Sequence, residues 1–145
     1  AGLLLITVGG WTARIEHPLG PWTRAADWLA PWLQAGDTVV LPLYQESGEM
    51  FAYRALVHHR KDIEILPLWD PSYYQRHPER SRPPPDAAGR VAWIRSRASG
   101  GRAVWWLLPR KDLPLHQAML DGLPGERLDS PDGNWLAYKF SRDLK

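Results

Sequence analysis

The chain has 145 residues, 44% of them hydrophobic, with no cysteine and a formal net charge of +2. That length suits one domain with its own core, and that apolar content lies far above what a disordered segment carries. The lack of cysteine excludes disulfides, thiolate catalysis and cysteine-ligated metals, and scattered basic residues at so small a net charge give nucleic acid no stripe to grip.

Nine tryptophans and fourteen prolines are the unusual part of the composition. Tryptophan gathers in cores, at interfaces and at the headgroup level of membranes, because its ring is apolar and its N–H needs a partner. The first eleven residues, Ala1 to Trp11, are almost all small or apolar. A secretion signal fits them poorly, since there is no basic start and no Ala-x-Ala site. They are also too few to cross a bilayer, which takes about 20 residues. Residues 1–18 therefore form an apolar lead-in with two readings, a first buried strand or the truncated end of a membrane helix. On the second reading Trp11, Arg14 and His17 fall where a membrane surface would lie.

Residues 19–145 read as a single α/β domain. Pro21 to Gly36 has the pattern of an amphipathic helix, with Trp22, Ala25, Ala26, Leu29, Trp32 and Leu33 on one face, Gly36 as its stop and Pro31 as a kink in its last turn. Asp37 to Leu43 is β-branched and reads as a buried strand. Glu46 to Arg60 reads as a second helix with Met50, Tyr53 and Val57 inward, and Asp62 to Trp69 as a second strand. A third helix starts near Asp86 and puts Ala87, Val91, Ile94 and Ala98 in register. Arg102 to Pro109 is a continuous apolar run, the pattern of a strand covered on both faces. Asp112 is placed to cap a fourth helix carrying Leu115, Met119 and Leu123. The chain closes on two short strands around a Pro-Asp-Gly turn, with Leu136, Tyr138 and Phe140 alternating.

Strand, helix, strand, helix, strand, helix and hairpin is the order of an open α/β sheet. The expected fold is three-layer and Rossmann-like, with three mainly parallel strands and an antiparallel C-terminal hairpin. Ligands of such sheets gather beyond the carboxyl ends of the parallel strands. Tyr44, Glu46, Trp69, Asp70, Arg110 and Lys111 fall there and form a candidate ligand-binding rim, with aromatic walls and cations suited to phosphate or carboxylate. Polar turn residues at strand ends are equally the ordinary explanation. The segment from Trp69 to Gly89 is too long for an ordinary connection. Its Tyr73, Tyr74, Arg76, Arg80 and Arg82 suit a sugar, a phosphate or a lipid headgroup, and a stiffened, solvated loop explains them as well.

Standard catalytic signatures are missing. There is no P-loop and no G-x-G-x-x-G, and Ser47 sits in Glu-Ser-Gly-Glu rather than a nucleophile elbow. His58 and His59 are adjacent, so on a helix they point about 100° apart. His17, His77 and His116 have no ligand partners at metal spacing and read as surface residues, so no metal, cofactor or catalytic residue is assigned.

The stretch from Pro21 to Leu56 resembles the start of the extracytoplasmic domain that follows the last membrane helix in bacterial GT-C type glycosyltransferases similar to family 39. The resemblance lies in Trp22, Ala25, Ala26, Leu29, Gly36, Asp37, Val39, Val40, Pro42, Tyr44 and Tyr53. These spell an aromatic-rich helix ending in Gly-Asp, a β-branched strand, a Pro- and Tyr-containing turn and a helix with another Tyr. The closing Asn134 to Asp143 also resembles the end of such chains, whereas the Arg- and Pro-rich loop has no counterpart.

This resemblance implies a membrane protein whose domain lies on the periplasmic or extracellular side. The parent would transfer a sugar from a polyprenyl-phosphate donor to a glycan, lipid or protein acceptor. Its catalytic acids would lie in the membrane part of the same polypeptide, leaving this domain inactive alone and suited to positioning the acceptor. Two other classes stay open. One is a free-standing binding module or small enzyme with its site at the strand-end rim. The other is an interaction domain using exposed tryptophans such as Trp11 and Trp22.

Overall fold

The computed structural model describes residues 21–41, 60–68 and 71–141. The lead-in 1–18, the helix expected over residues 46–59 and the turn that holds Tyr44 lie outside the described residues.

Helix α1 (Pro21–Leu29) opens on a proline, whose fixed φ and missing N–H suit a first turn. It ends at Leu29, well before Gly36. Pro31 cannot donate to an α-helical bond, and the chain passes into a 3-10 turn, Ala30–Trp32. Ala25, Ala26, Leu29 and Leu33 are buried as the spacing predicts, but Trp32 is 53% exposed, because the tighter turn rotates it off the helix's inner face. Gly36, at φ 84°, serves the turn into β1 instead of stopping a helix.

Among the described residues five strands follow: β1 (Thr38–Leu41), β2 (Glu64–Pro67), β3 (Ala103–Pro109), β4 (Glu126–Asp129) and β5 (Trp135–Ser141). They form one mixed open sheet in the order β2-β1-β3-β5-β4. β1 pairs in parallel with both β2 and β3, and β5 runs antiparallel to β3 and to β4. The fold is thus mixed α/β, built on an open mixed sheet.

Between the strands lie α2 (Pro71–Arg76), α3 (Ala87–Arg97) and α4 (Leu113–Asp121). The short α2 breaks what the sequence suggests is a single long loop. Asp86 caps α3, its carboxylate accepting the Gly89 N–H at 2.7 Å. Asp112 makes no such bond: the 3-10 turn Arg110–Asp112 delivers the chain to α4 already helical.

Every residue of β3 is buried, and successive side chains go to opposite faces. Val104, Trp106 and Leu108 join Val40, Leu66, Leu136 and Phe140 in a core with Trp93 and Ile94 of α3 and Met119 and Leu120 of α4. Ala103, Trp105 and Leu107 join Val39, Leu41, Ile65, Trp135 and Ala137 in a second core with Ala25, Ala26 and Leu29 of α1. Each buried indole removes on the order of 200 Å² from water, worth roughly 5 kcal/mol, so adjacent Trp105 and Trp106 anchor both cores at once.

Two helix faces are phased differently from the sequence expectation. On α4 the inner face is His116, Met119, Leu120 and Leu123, while Leu115 is 66% exposed. On α3, Arg90 and Trp93 are buried along with Ile94 and Ala98, and Ala87 and Val91 are only partly covered.

Candidate functional site

The carboxyl-end rim begins where the parallel strands stop, at Leu41, Pro67 and Pro109. Of the rim residues named from sequence, Tyr44, Glu46, Trp69 and Asp70 lie outside the described residues. Arg110 and Lys111 are at the rim, as expected. Arg110 is engaged in the scaffold: its guanidinium bonds the Asp129 carboxylate and the Gly133 carbonyl, and its N–H donates to the Asn134 carbonyl at 2.8 Å. It ties the end of β3 to the β4–β5 hairpin. Arg127 and Arg110 together hold the Asp129 carboxyl below its ordinary range. Lys111 is exposed to solvent.

The tight turn of that hairpin is organised by Asp132. It accepts the Ser130 hydroxyl and the backbone N–H of Asn134, and these bonds hold its carboxyl below the usual carboxylate range. Gly133 takes φ 70°, which the turn requires.

The second group of candidates is divided by the structure. Tyr73 is buried, and its hydroxyl donates to the Ile65 carbonyl at 3.3 Å on the outer edge of β2. Tyr74 packs against the core with a buried hydroxyl that has no hydrogen-bond partner among the described residues, and burial pushes that phenol upward. Arg76 ends α2 in solvent. Arg80 reaches back to the opposite end of the sheet and pairs with Glu64 at 3.2 Å, while Arg82 stays exposed.

Glu64, the first residue of β2, is the hub of that amino-end network. Its carboxylate takes Arg80, Arg97 and the Thr38 hydroxyl. Arg97 also bonds the Ser81 hydroxyl at 3.2 Å and lies over the Trp93 ring, 4.8 Å from its centroid. The loop between α2 and α3 is thus clamped to the sheet by residues distant in sequence.

Asp37 is a second hub, 2% exposed. Its carboxylate accepts the N–H of Gln34 at 2.9 Å, the N–H of Ala103 at 2.9 Å and the Trp105 indole at 2.8 Å. One side chain therefore joins the turn that follows α1, the start of β1 and the start of β3.

Sequence reasoning missed a polar group inside the first core. His116 is 2% exposed, not on the surface, and neither ring nitrogen has a hydrogen-bond partner among the described residues. It meets Trp106 edge-on at 5.8 Å between centroids, and the Trp106 indole N–H is unpartnered too. Burial first, and the Arg90 guanidinium second, push His116 down to about 4. Arg90 is itself buried, its Nε donating to the Pro84 carbonyl at 2.9 Å. The signal available in the sequence was spacing, since His116 lies three residues after Leu113 and four before Leu120.

A neutral imidazole offers one donor and one acceptor, and an indole one donor. Together with the Tyr74 hydroxyl, this is the side-chain hydrogen-bonding capacity that the described residues leave unused on this face of the sheet. No group of three or more His, Asp or Glu side chains among the described residues is arranged to hold a metal ion. None of their helices is long and apolar enough to cross a membrane. No family model, curated protein or solved structure matches this chain.

Proposed function

We propose that this chain is a non-catalytic accessory domain of a polytopic membrane glycosyltransferase that uses a polyprenyl-phosphate sugar donor, and that it helps to position the acceptor. In this reading the fold is a three-layer, Rossmann-like sheet held outside the membrane and joined to the membrane part of the same polypeptide. The observation that carries the proposal is the joint at Gly36 and Asp37. The resemblance rests on an aromatic-rich helix running through Gly-Asp into a β-branched strand. The helix itself stops at Leu29, and the Gly-Asp pair beyond it forms a built junction into β1, with Gly36 at φ 84° and Asp37 bonded to three N–H donors. A second support is that Arg110 pairs with Asp129, and Arg80 and Arg97 pair with Glu64, in scaffold roles.

The reading frame upstream of Ala1 tests this. Several apolar stretches of about 20 residues each are expected there, and a start codon adjoining Ala1 overturns the proposal. The alternative, a free-standing binding module, draws support from the unpartnered His116 and Trp106. It predicts that sugar phosphates or nucleotides shift the NMR signals of those two side chains.

A further inference from the structure

The corner where α1 turns into β1 carries side chains that the scaffold does not use. Trp32 is exposed in the 3-10 turn that follows α1. The Arg60 guanidinium donates to the carbonyls of Ala30 and Leu33 and so brings Lys61 beside that turn. The Gly36 N–H donates to the Asp62 carbonyl at 2.7 Å. The Arg102 side chain lies over Gly36, close enough that a Cβ there would sit 3.2 Å from its Nε. Trp32, Lys61 and Arg102 thus border one corner at the amino ends of β1, β2 and β3.

Lys61 and Arg102 are exposed, and no acidic side chain among the described residues pairs with either. The acids close by are already engaged: Asp62 takes Arg60 at 2.8 and 2.9 Å, and Asp37 is buried among its three donors. Further along the same edge, Arg82 is exposed beside the Glu64 network, and no acidic side chain among the described residues pairs with it.

An exposed indole flanked by unpaired cations matches the interfacial layer of a membrane, where the ring sits at headgroup level and the cations meet phosphates. These cations come from three separate segments, the turns before β2 and β3 and the loop before α3. The charge complementary to them is therefore a plane of anionic headgroups and not a single phosphate. We propose that Trp32, Lys61 and Arg102, with Arg82 beyond them, form a docking surface for an anionic lipid bilayer, so that the amino ends of the parallel strands face the membrane and the carboxyl-end rim faces away.

This goes beyond the glycosyltransferase reading and does not rest on it. Vesicle flotation with the 145-residue chain tests it, using vesicles of phosphatidylcholine alone or mixed equally with phosphatidylglycerol. Binding is expected to the mixed vesicles only, and it should weaken as salt is raised. Each cation contributes roughly fivefold to partitioning, so Lys61→Ala with Arg102→Ala should lose on the order of 25-fold. Trp32→Ala should weaken binding as well, while Arg24→Glu, toward the other end of the sheet, should not. Equal binding to both vesicle types, no binding, or a double variant that floats like the parent overturns the proposal. So does a dimer in sedimentation velocity that Trp32→Ala dissolves, since that surface would then serve a second copy. An upstream frame without membrane helices sinks the glycosyltransferase reading alone, and failed flotation sinks this one alone.

Discussion

Trp105 and Trp106 are neighbours on one strand, equally buried, and they live in opposite circumstances. Trp105 faces the α1 side and gives its indole N–H to Asp37 at 2.8 Å. Trp106 faces the α3–α4 side, where its N–H is unpartnered and the nearby His116 has two bare ring nitrogens. One core closes its polar accounts through a carboxylate, while the other tolerates open ones. An unsatisfied buried group costs about 1–3 kcal/mol, so the second face holds a reserve of instability that the first does not.

Replacing Asp37 by alanine gives the largest expected effect. It strips the partner from three N–H donors at once, and urea unfolding should show a loss of at least about 4 kcal/mol. A loss below about 1 kcal/mol would mean that Asp37 is not the hub of the α1 side and would break the comparison.

Acid comes next. The folded state holds His116 near 4 and the unfolded chain holds it at its ordinary 6.5. The unfolded state therefore takes up the proton first as pH falls, and stability declines between about pH 6.5 and 4 by roughly 3 kcal/mol. Asp62, Glu79, Asp129 and Asp132 are lowered as well, but from ordinary values of 3.8 to 4.5. Their stabilising contribution is lost only as pH falls through their lowered folded values, below that window. Unfolding midpoints collected from pH 7 to pH 4 check the slope, and His116→Leu should flatten it.

A matched pair sharpens the contrast further. Trp105→Phe and Trp106→Phe remove the same ring volume, but only the first breaks a hydrogen bond to a charged acceptor. Trp105→Phe should therefore be the costlier by roughly 1.5–3 kcal/mol. Equal losses would show that the indole bond contributes nothing net. Smallest is His116→Leu measured at pH 7. Replacing a buried group that lacks partners by an apolar one should be neutral or stabilising by up to about 1 kcal/mol.

The strands were legible because β-branched and aromatic runs bounded by glycine, proline and aspartate state both period and ends. Seven apolar residues in a row from Ala103 announced a strand covered on both faces. The hairpin was legible in Asp132 and Gly133. The phases of α3 and α4 were not. In α4, apolar residues at 113, 115, 119, 120 and 123 allow two inner faces, and packing against Trp106 selects the one that takes in His116. In α3, Trp93 must face inward, and that carries Arg90, one turn earlier, in with it.

Of the candidate site, the position of Arg110 and Lys111 was readable from the strand ends, but the engagement of Arg110 by Asp129 was not. Nor was the pairing of Arg80 with Glu64. Both depend on which segments the fold brings side by side, and no local pattern encodes that.

The strand order has a temporal consequence. β3, α4, β4 and β5 all lie within residues 103–141, so β3 finds β5 by closing a short stretch of chain. β1 must wait for β3, because Thr38 lies opposite Val104 and the loop between them is long. Residues 103–141 should therefore form the early template, with the amides of β3 and β5 the last to exchange with solvent. During synthesis the order runs the other way: β1 and β2 leave the ribosome first, while the central strand that joins the two halves of the sheet arrives after both.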